Sequence, residues 1–156
     1  MIPSAYSERR LRVLLILPRD TIYRYKGAFQ RFSSYAPLTL TTLAALIPEE
    51  LNAQVDIVDE GVQNARYSDE PYDIVGLTCV VSSSPRAYAL AEHFKSTGAW
   101  VALGGAHVTL NPDEAVKHAD AVVTGPAERV WPGLVRAVAS GQRPTGIHKG
   151  EPEDRL

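Results

Sequence analysis

Three short segments concentrate groups that could hold a ligand or act on one. Gly104-Gly-Ala-His-Val-Thr109 places paired glycines and a histidine directly after an apolar run. Adjacent glycines let a backbone approach a ligand closely, or take dihedrals closed to a residue with a Cβ. His107 could ligate a metal, donate a hydrogen bond, or bond the backbone. No second histidine or acid stands at ligand spacing to select the first of these. Thr78-Cys-Val-Val-Ser-Ser-Ser84 gathers small hydroxyl residues, which leave room for an inserted group and can bond its polar edge. Either Ser82 or Ser83 is also expected to cap the helix that follows. Thr124-Gly-Pro-Ala-Glu128 joins a glycine to an acid at a helix start, where the helix dipole alone would account for the acid.

A fourth segment stands out by its length. Pro18 to Pro37 is about twenty residues long, where connections of its kind take about 2–6. It carries Arg19, Asp20, Tyr23, Tyr25, Gly27, Phe29, Phe32 and Tyr35. Such a loop could cover a flat apolar ligand, pack on another domain, or be stapled by its own aromatics. It lacks GxGxxG and GxxxxGK[ST], so dinucleotide and P-loop phosphate chemistry have no support. No Ser–His–Asp, paired-carboxylate or HExxH arrangement emerges from the spacing. The single cysteine, Cys79, excludes an internal disulfide framework, a cysteine-rich zinc site and a self-sufficient iron–sulfur cluster. Its expected role is a small buried core residue. His93, His118 and His148 read as helix-surface or tail residues. The residues describe a binding surface without visible catalytic machinery.

These segments need elements to position them. Arg12–Leu17 is a continuous apolar run of branched residues, the mark of a strand buried on both faces of a parallel sheet. Gln54–Asp59, Asp73–Thr78, Ala99–Leu103 and Asp120–Thr124 repeat it. Helical patterns lie between them: Leu38 to Ile47, stopped by Pro48; Ser82 to Lys95, with a proline in its first turn and Gly98 as a stop; Asn111 to His118; and Glu128 to Ser140, ended by Gly141. Glu60 to Tyr72 is expected to hold at most a short helix. Strands alternating with helices give a doubly wound α/β sheet with right-handed crossovers. In such a sheet ligands bind beyond the carboxyl ends of the strands, where all four segments lie.

The 156 residues suit one domain, here 11–142, with a polar leader at 1–10 and a linker or tail at 143–156. Sixteen Lys and Arg against 18 Asp and Glu leave a net charge of -2, with no electrostatic footprint for nucleic acid or an anionic membrane. No stretch approaches the roughly 18 apolar residues of a membrane span, and the N-terminus lacks the apolar core of a signal peptide. A reducing cytoplasm is the expected location.

The chain resembles the N-terminal cobalamin-binding domain of cobalamin-dependent radical SAM enzymes. The resemblance covers about residues 11 to 140. It rests on Val13-Leu-Leu-Ile-Leu-Pro-Arg19, Tyr35-Ala-Pro-Leu-Thr-Leu-Thr-Thr-Leu-Ala-Ala-Leu46, Asp56-Ile-Val-Asp-Glu60 and Asp73-Ile-Val-Gly-Leu77. Gly104-Gly-Ala-His-Val-Thr-Leu-Asn-Pro-Asp-Glu-Ala115, Ala121-Val-Val-Thr-Gly125 and Glu128 complete it. It implies a flavodoxin-like (Rossmann-like) three-layer sandwich with a five-stranded parallel sheet in the order 2-1-3-4-5. It also implies base-off cobalamin, its dimethylbenzimidazole tail passing Thr78, Val80, Ser82 and Ser83 on one side and Gly104 and Gly105 on the other. Thr124, Gly125 and Glu128 would line the far side, while Arg19, Tyr35 and His107 would face the corrin.

Two departures sharpen the expectation. The wider superfamily carries DxHxxG after the first strand, whose histidine ligates cobalt; here the segment reads Arg19-Asp-Thr-Ile-Tyr-Arg-Tyr-Lys-Gly27, without histidine. Cobalamin would therefore be held without a histidine from that loop, with His107 as the alternative cobalt ligand. A radical SAM barrel supplies CxxxCxxC, which one cysteine cannot provide. S-adenosylmethionine and a [4Fe-4S] cluster would therefore belong to a partner domain, in cis or trans. The alternatives are a free-standing cobalamin carrier or sensor, or a flavodoxin-like module for another ligand or a protein partner. A phosphoacceptor receiver is disfavoured because Thr78 and Thr124 stand where it needs an Asp and a Lys.

Overall fold

In the computed structural model, residues 9–20, 38–62 and 65–152 are described. Tyr23, Tyr25, Gly27, Phe29, Phe32 and Tyr35 lie outside them, as does most of the leader. The strands are β1 (Arg12–Leu17), β2 (Gln54–Asp59), β3 (Ile74–Thr78), β4 (Trp100–Gly104), β5 (Ala121–Thr124) and β6 (Gly146–Lys149). They form one parallel sheet in the order β2-β1-β3-β4-β5-β6. The flavodoxin-like order 2-1-3-4-5 is present and gains a sixth strand from the segment expected to be a linker. That strand escaped the sequence pattern because it is a four-residue edge strand, Gly-Ile-His-Lys, whose residues alternate between half-buried and exposed. Its flanks are tied down: the Trp100 indole donates to the Pro144 carbonyl at 2.8 Å, and the Gly150 amide donates to the Thr124 carbonyl at 2.8 Å.

The pleat of β1 sorts the two faces. Leu14 and Ile16 enter one core with Val75, Leu77, Val101 and Leu103. Val13 and Leu15 enter the other with Ile74, Trp100 and Ala102. Helices α2 (Ser84–Ser96), α3 (Ala106–Leu110) and α4 (Pro112–Ala115) cover the first face through Leu90, Phe94, Val108 and Ala115. Helices α1 (Leu38–Ala45) and α5 (Trp131–Ala139) cover the second through Leu40, Trp131, Leu134 and Val135. Each fully buried side chain of this size contributes about 1.5–3 kcal/mol by leaving water.

The helices are shorter than the sequence patterns suggested. α1 ends at Ala45, two residues before the expected stop, and a 3-10 turn at Glu49–Leu51 follows Pro48. Before α2, Val81–Ser83 form a separate 3-10 turn. The Ser83 hydroxyl is engaged with the Val80 amide and carbonyl at 3.2 and 3.3 Å, so it braces that turn and does not cap α2. The helix expected from Asn111 to His118 starts where expected, with Asn111 at its N-cap position and Pro112 first, but ends at Ala115. α3 precedes it, and the Asn111 side-chain amide donates back to the His107 carbonyl at 3.2 Å. α5 starts at Trp131, which leaves Glu128 exposed in the preceding turn. Between β2 and β3, no helix occurs among the described residues.

Candidate functional site

Parallel strands deliver Pro18, Glu60, Cys79, Gly105, Gly125 and Gly150 to the same end of the sheet, each directly after its strand. The loops after β3 and β4 are in intimate contact. The Cys79 amide donates to the Gly104 carbonyl at 3.0 Å, and the His107 amide donates to the Cys79 carbonyl at 3.2 Å. Gly105 has φ +102°, and a Cβ there would meet Cys79 O at 2.6 Å and Thr78 Oγ1 at 2.7 Å. Its glycine is thus explained by the approach of a neighbouring loop, and the space beside it is occupied by protein. Gly104 differs: among the described residues a Cβ there would meet only Val123 O, at 3.7 Å, which is ordinary contact.

The loops after β4 and β5 are joined by one hydroxyl. Thr109 donates to the Gly105 carbonyl at 3.0 Å and accepts from the Gly125 amide at 3.0 Å. Gly125 takes φ +71°, and Gly150 packs so tightly on Pro126 that no side chain fits. Thr78, Gly104, Gly105, Thr124 and Gly125 therefore lie together at this end, but the slot expected between Thr78 and Gly105 is closed by their contact. Ser83 is buried in its own turn, and Glu128 is exposed at the periphery.

His107 is buried in α3, not displayed. Its Nε2 lies 3.1 Å from Tyr88 Oη and 3.8 Å from Glu114 Oε1, while its Nδ1 is buried without a hydrogen-bond partner. Tyr88 stacks on His118, with ring centroids 4.1 Å apart, and His118 Nδ1 lies 2.8 Å from Glu92 Oε1. Burial, reinforced by the Glu114 charge, pushes the Tyr88 hydroxyl well above the ordinary phenol value, so it keeps its proton. Cys79 is the core residue expected of it: 1% exposed, its thiol pushed up to about 11 by burial and the Glu114 charge. Among the described residues no three His, Cys, Asp or Glu side chains converge into a metal-binding set.

A cluster that sequence reasoning missed lies on the other side of this end. The Glu60 side chain is 3% exposed and accepts four hydrogen bonds. They come from Arg86 Nε at 3.0 Å, Arg86 Nη2 at 2.7 Å, the Tyr67 hydroxyl at 2.6 Å and the Arg19 amide at 3.2 Å. Burial alone would raise this carboxyl; the donors and the Arg86 charge outweigh it and hold the pKa below the ordinary 4.5. Arg19 thus contributes through its backbone, its side chain being exposed. One signal was available: Arg86 occupies the first turn of α2, where the helix dipole disfavours a cation. A compensating acid was to be expected.

The rim is apolar. Leu38, Val62, Val80, Val81 and Leu110 are large hydrophobics more than half exposed, and all follow the carboxyl ends of strands β1 to β4. A cleft of about 600 Å³ opens at the opposite end of the sheet, lined by Arg9, Leu11, Glu50, Asp73 and Arg143 among others. Its polar groups bond one another or nearby backbone, as in Arg9 to Asp73 at 3.0 Å and Arg143 to the Ala99 carbonyl at 3.1 Å. Parallel sheets present ligands at the carboxyl end, so the candidate site is placed there.

Over 105 residues the chain is 36% identical to a bacteriochlorophyllide d C-8(2)-methyltransferase of Chlorobaculum tepidum, covering 67% of this chain and 23% of that protein. Over 107 residues it is 31% identical to a bacteriochlorophyllide d C-12(1)-methyltransferase of the same organism, covering 68% and 23%. The chain thus matches less than a quarter of the length of these curated relatives. No family model and no solved structure matches. Among the described residues no helix is long and apolar enough to cross a membrane.

Proposed function

We propose that this chain is a cobalamin-binding domain that serves a radical SAM methyltransferase domain outside it, in cis or trans, in the cytoplasm. The carrying observation is the apolar rim of Leu38, Val62, Val80, Val81 and Leu110 around the glycine-bearing loops. A broad flat macrocycle needs such a rim, and burial of exposed apolar area is the main source of its affinity. The similarity to two methyltransferases, each more than four times the length of the matched segment, supports a transfer reaction completed elsewhere.

In this reading the residues accommodate the cofactor with two adjustments. Gly105 and Ser83 are engaged within the protein, so they shape the pocket without lining it. The benzimidazole tail would pass Thr78, Val80, Ser82 and Gly104, where a Cβ has room. Thr124 and Gly125 would close the far side, with Glu128 at the periphery, and Arg19 and Tyr35 would face the corrin. His107 would support the loop from within, because Nε2 is engaged with Tyr88 and Nδ1 is buried. Cobalamin would supply the methyl-carrying centre. S-adenosylmethionine and a [4Fe-4S] cluster would be held by the partner domain. This chain's work would be to bind the corrin, orient it and keep water from its lower face.

The test is retention of hydroxocobalamin through gel filtration, followed by the visible spectrum. A co-eluting corrin whose cobalt(II) form shows no nitrogen splitting in its EPR spectrum is expected. Absence of any retained corrin at tens of micromolar protein would overturn the reading. Nitrogen splitting that disappears in His107→Ala would replace only the assignment of His107.

A further inference from the structure

The strand order reverses about β1, which lies between β2 and β3. This reversal is where open α/β sheets form their ligand crevice. The Glu60–Arg86 pair spans it: Glu60 follows β2, Arg86 lies in the first turn of α2 after β3, and the carboxyl end of β1 lies between them. The Arg19 amide, just after β1, bonds the same carboxylate. The carboxylate takes Arg86 side-on through Nε and Nη2. Nη1 takes no part in that pairing, on a side chain 29% exposed at the carboxyl end of the sheet. Tyr67 fills a further lone pair of Glu60, so the acid is fully engaged and the guanidinium cannot swing away from it.

An arginine in the first turn of a helix works against the helix dipole. Helix stability therefore does not explain it, and a buried ion pair is itself weak support for a fold. What the arrangement does provide is a donor held in position by its acid, with the pair's own net charge at zero. Such a donor suits a neutral or singly charged oxygen better than a multiply charged anion.

We propose that Arg86, held by Glu60, is a ligand-binding residue that donates through Nη1 to an acceptor oxygen at the ligand's periphery. This rests on the cobalamin reading, in which the acceptor is a peripheral carboxamide or the nucleotide phosphate. Glu60 is then a positioning residue.

The experiment titrates hydroxocobalamin into the wild-type chain and into Arg86→Gln, Glu60→Gln and the double variant, with thermal unfolding of each. Arg86→Gln should bind roughly tenfold more weakly or worse, the loss expected for one charge-assisted hydrogen bond. The single variants leave a buried polar partner unpaired, whereas the double variant relieves that and should regain much of the lost stability. Binding that stays weak in the double variant supports the proposal; binding that recovers with stability overturns it by making the pair structural. Unchanged affinity in Arg86→Gln also overturns it, while leaving the cobalamin reading intact. A wild-type chain that binds no corrinoid removes the cobalamin reading first. Repeating the titration with dicyanocobinamide, which lacks the nucleotide, identifies the acceptor. A persisting Arg86→Gln penalty assigns a carboxamide, and a vanishing one assigns the phosphate.

Discussion

A Cβ built on Gly105 would stand 2.6 Å from the carbonyl oxygen of Cys79, closer than real Cβ contacts come. The adjacent Gly104 has no such neighbour. Two glycines that look equivalent in sequence thus do different work. Gly105 lets the loops after β3 and β4 touch; at Gly104 a Cβ would make no more than ordinary contact.

The pair predicts an asymmetric response to alanine. Gly105→Ala forces a side chain into φ +102° and against two backbone atoms of Cys79, and should cost at least about 2 kcal/mol. Gly104→Ala should change stability by less than about 1 kcal/mol. Urea unfolding of both variants measures the difference, and equal losses would contradict the loop contact. A bulky residue at Gly105 would abolish ligand binding by parting the loops. Gly104→Leu is therefore the cleaner probe of the proposed tail position: it should weaken corrin retention while the fold persists.

The Glu60 carboxyl predicts an acid-side dependence. Its pKa is lowered in the folded state, so its contribution is fully present above the ordinary value of 4.5. That contribution is lost as pH falls through the lower folded value. Glu60→Gln should reduce stability by about 2–3 kcal/mol near neutrality, since Arg86 is left without its partner but keeps some solvent. As pH falls below 4.5 and through the folded value, the wild-type and variant unfolding curves should converge. Curves that stay parallel across this range would show that the carboxylate is not held in its charged form.

The sheet was legible because its inner strands β1, β3, β4 and β5 are written as largely apolar runs. Val13 to Ile16 are buried on both faces, a condition only a central parallel strand meets. β6 was not, since an edge strand needs no apolar run. Gly105, Thr78 and Gly125 were found through their residue types at strand ends. Glu60 and Arg86 were missed because 26 residues separate them and only the crossover from β2 to α2 makes them neighbours. The role of His107 was left open by sequence for a similar reason. Its partner Tyr88 lies on a helix 19 residues earlier.

Cys79 should behave as a silent thiol. Its pKa is pushed from 9.0 up to about 11, which lowers the thiolate fraction near pH 8 by about 100-fold, and 1% exposure blocks reagents further. Iodoacetamide labelling followed by mass spectrometry should show almost no modification of the folded chain and rapid modification in urea. Labelling at the unfolded rate under native conditions would place Cys79 outside the core.

Thr109 offers the finest test of how the carboxyl-end loops are assembled. It is exposed, yet among the described residues its hydroxyl links the Gly125 amide to the Gly105 carbonyl, at 3.0 Å on each side. Thr109→Val keeps the shape and removes both bonds. Because water can replace them at this exposed position, the global cost should be only about 1 kcal/mol. The local effect should be larger: a Gly125 amide without its acceptor exchanges hydrogen faster, while amides inside β5 keep their protection. Thr109→Ser restores the hydroxyl and should restore slow exchange at Gly125. Exchange that is unchanged in Thr109→Val, or that accelerates equally throughout β5, would remove Thr109 as the joint between these loops.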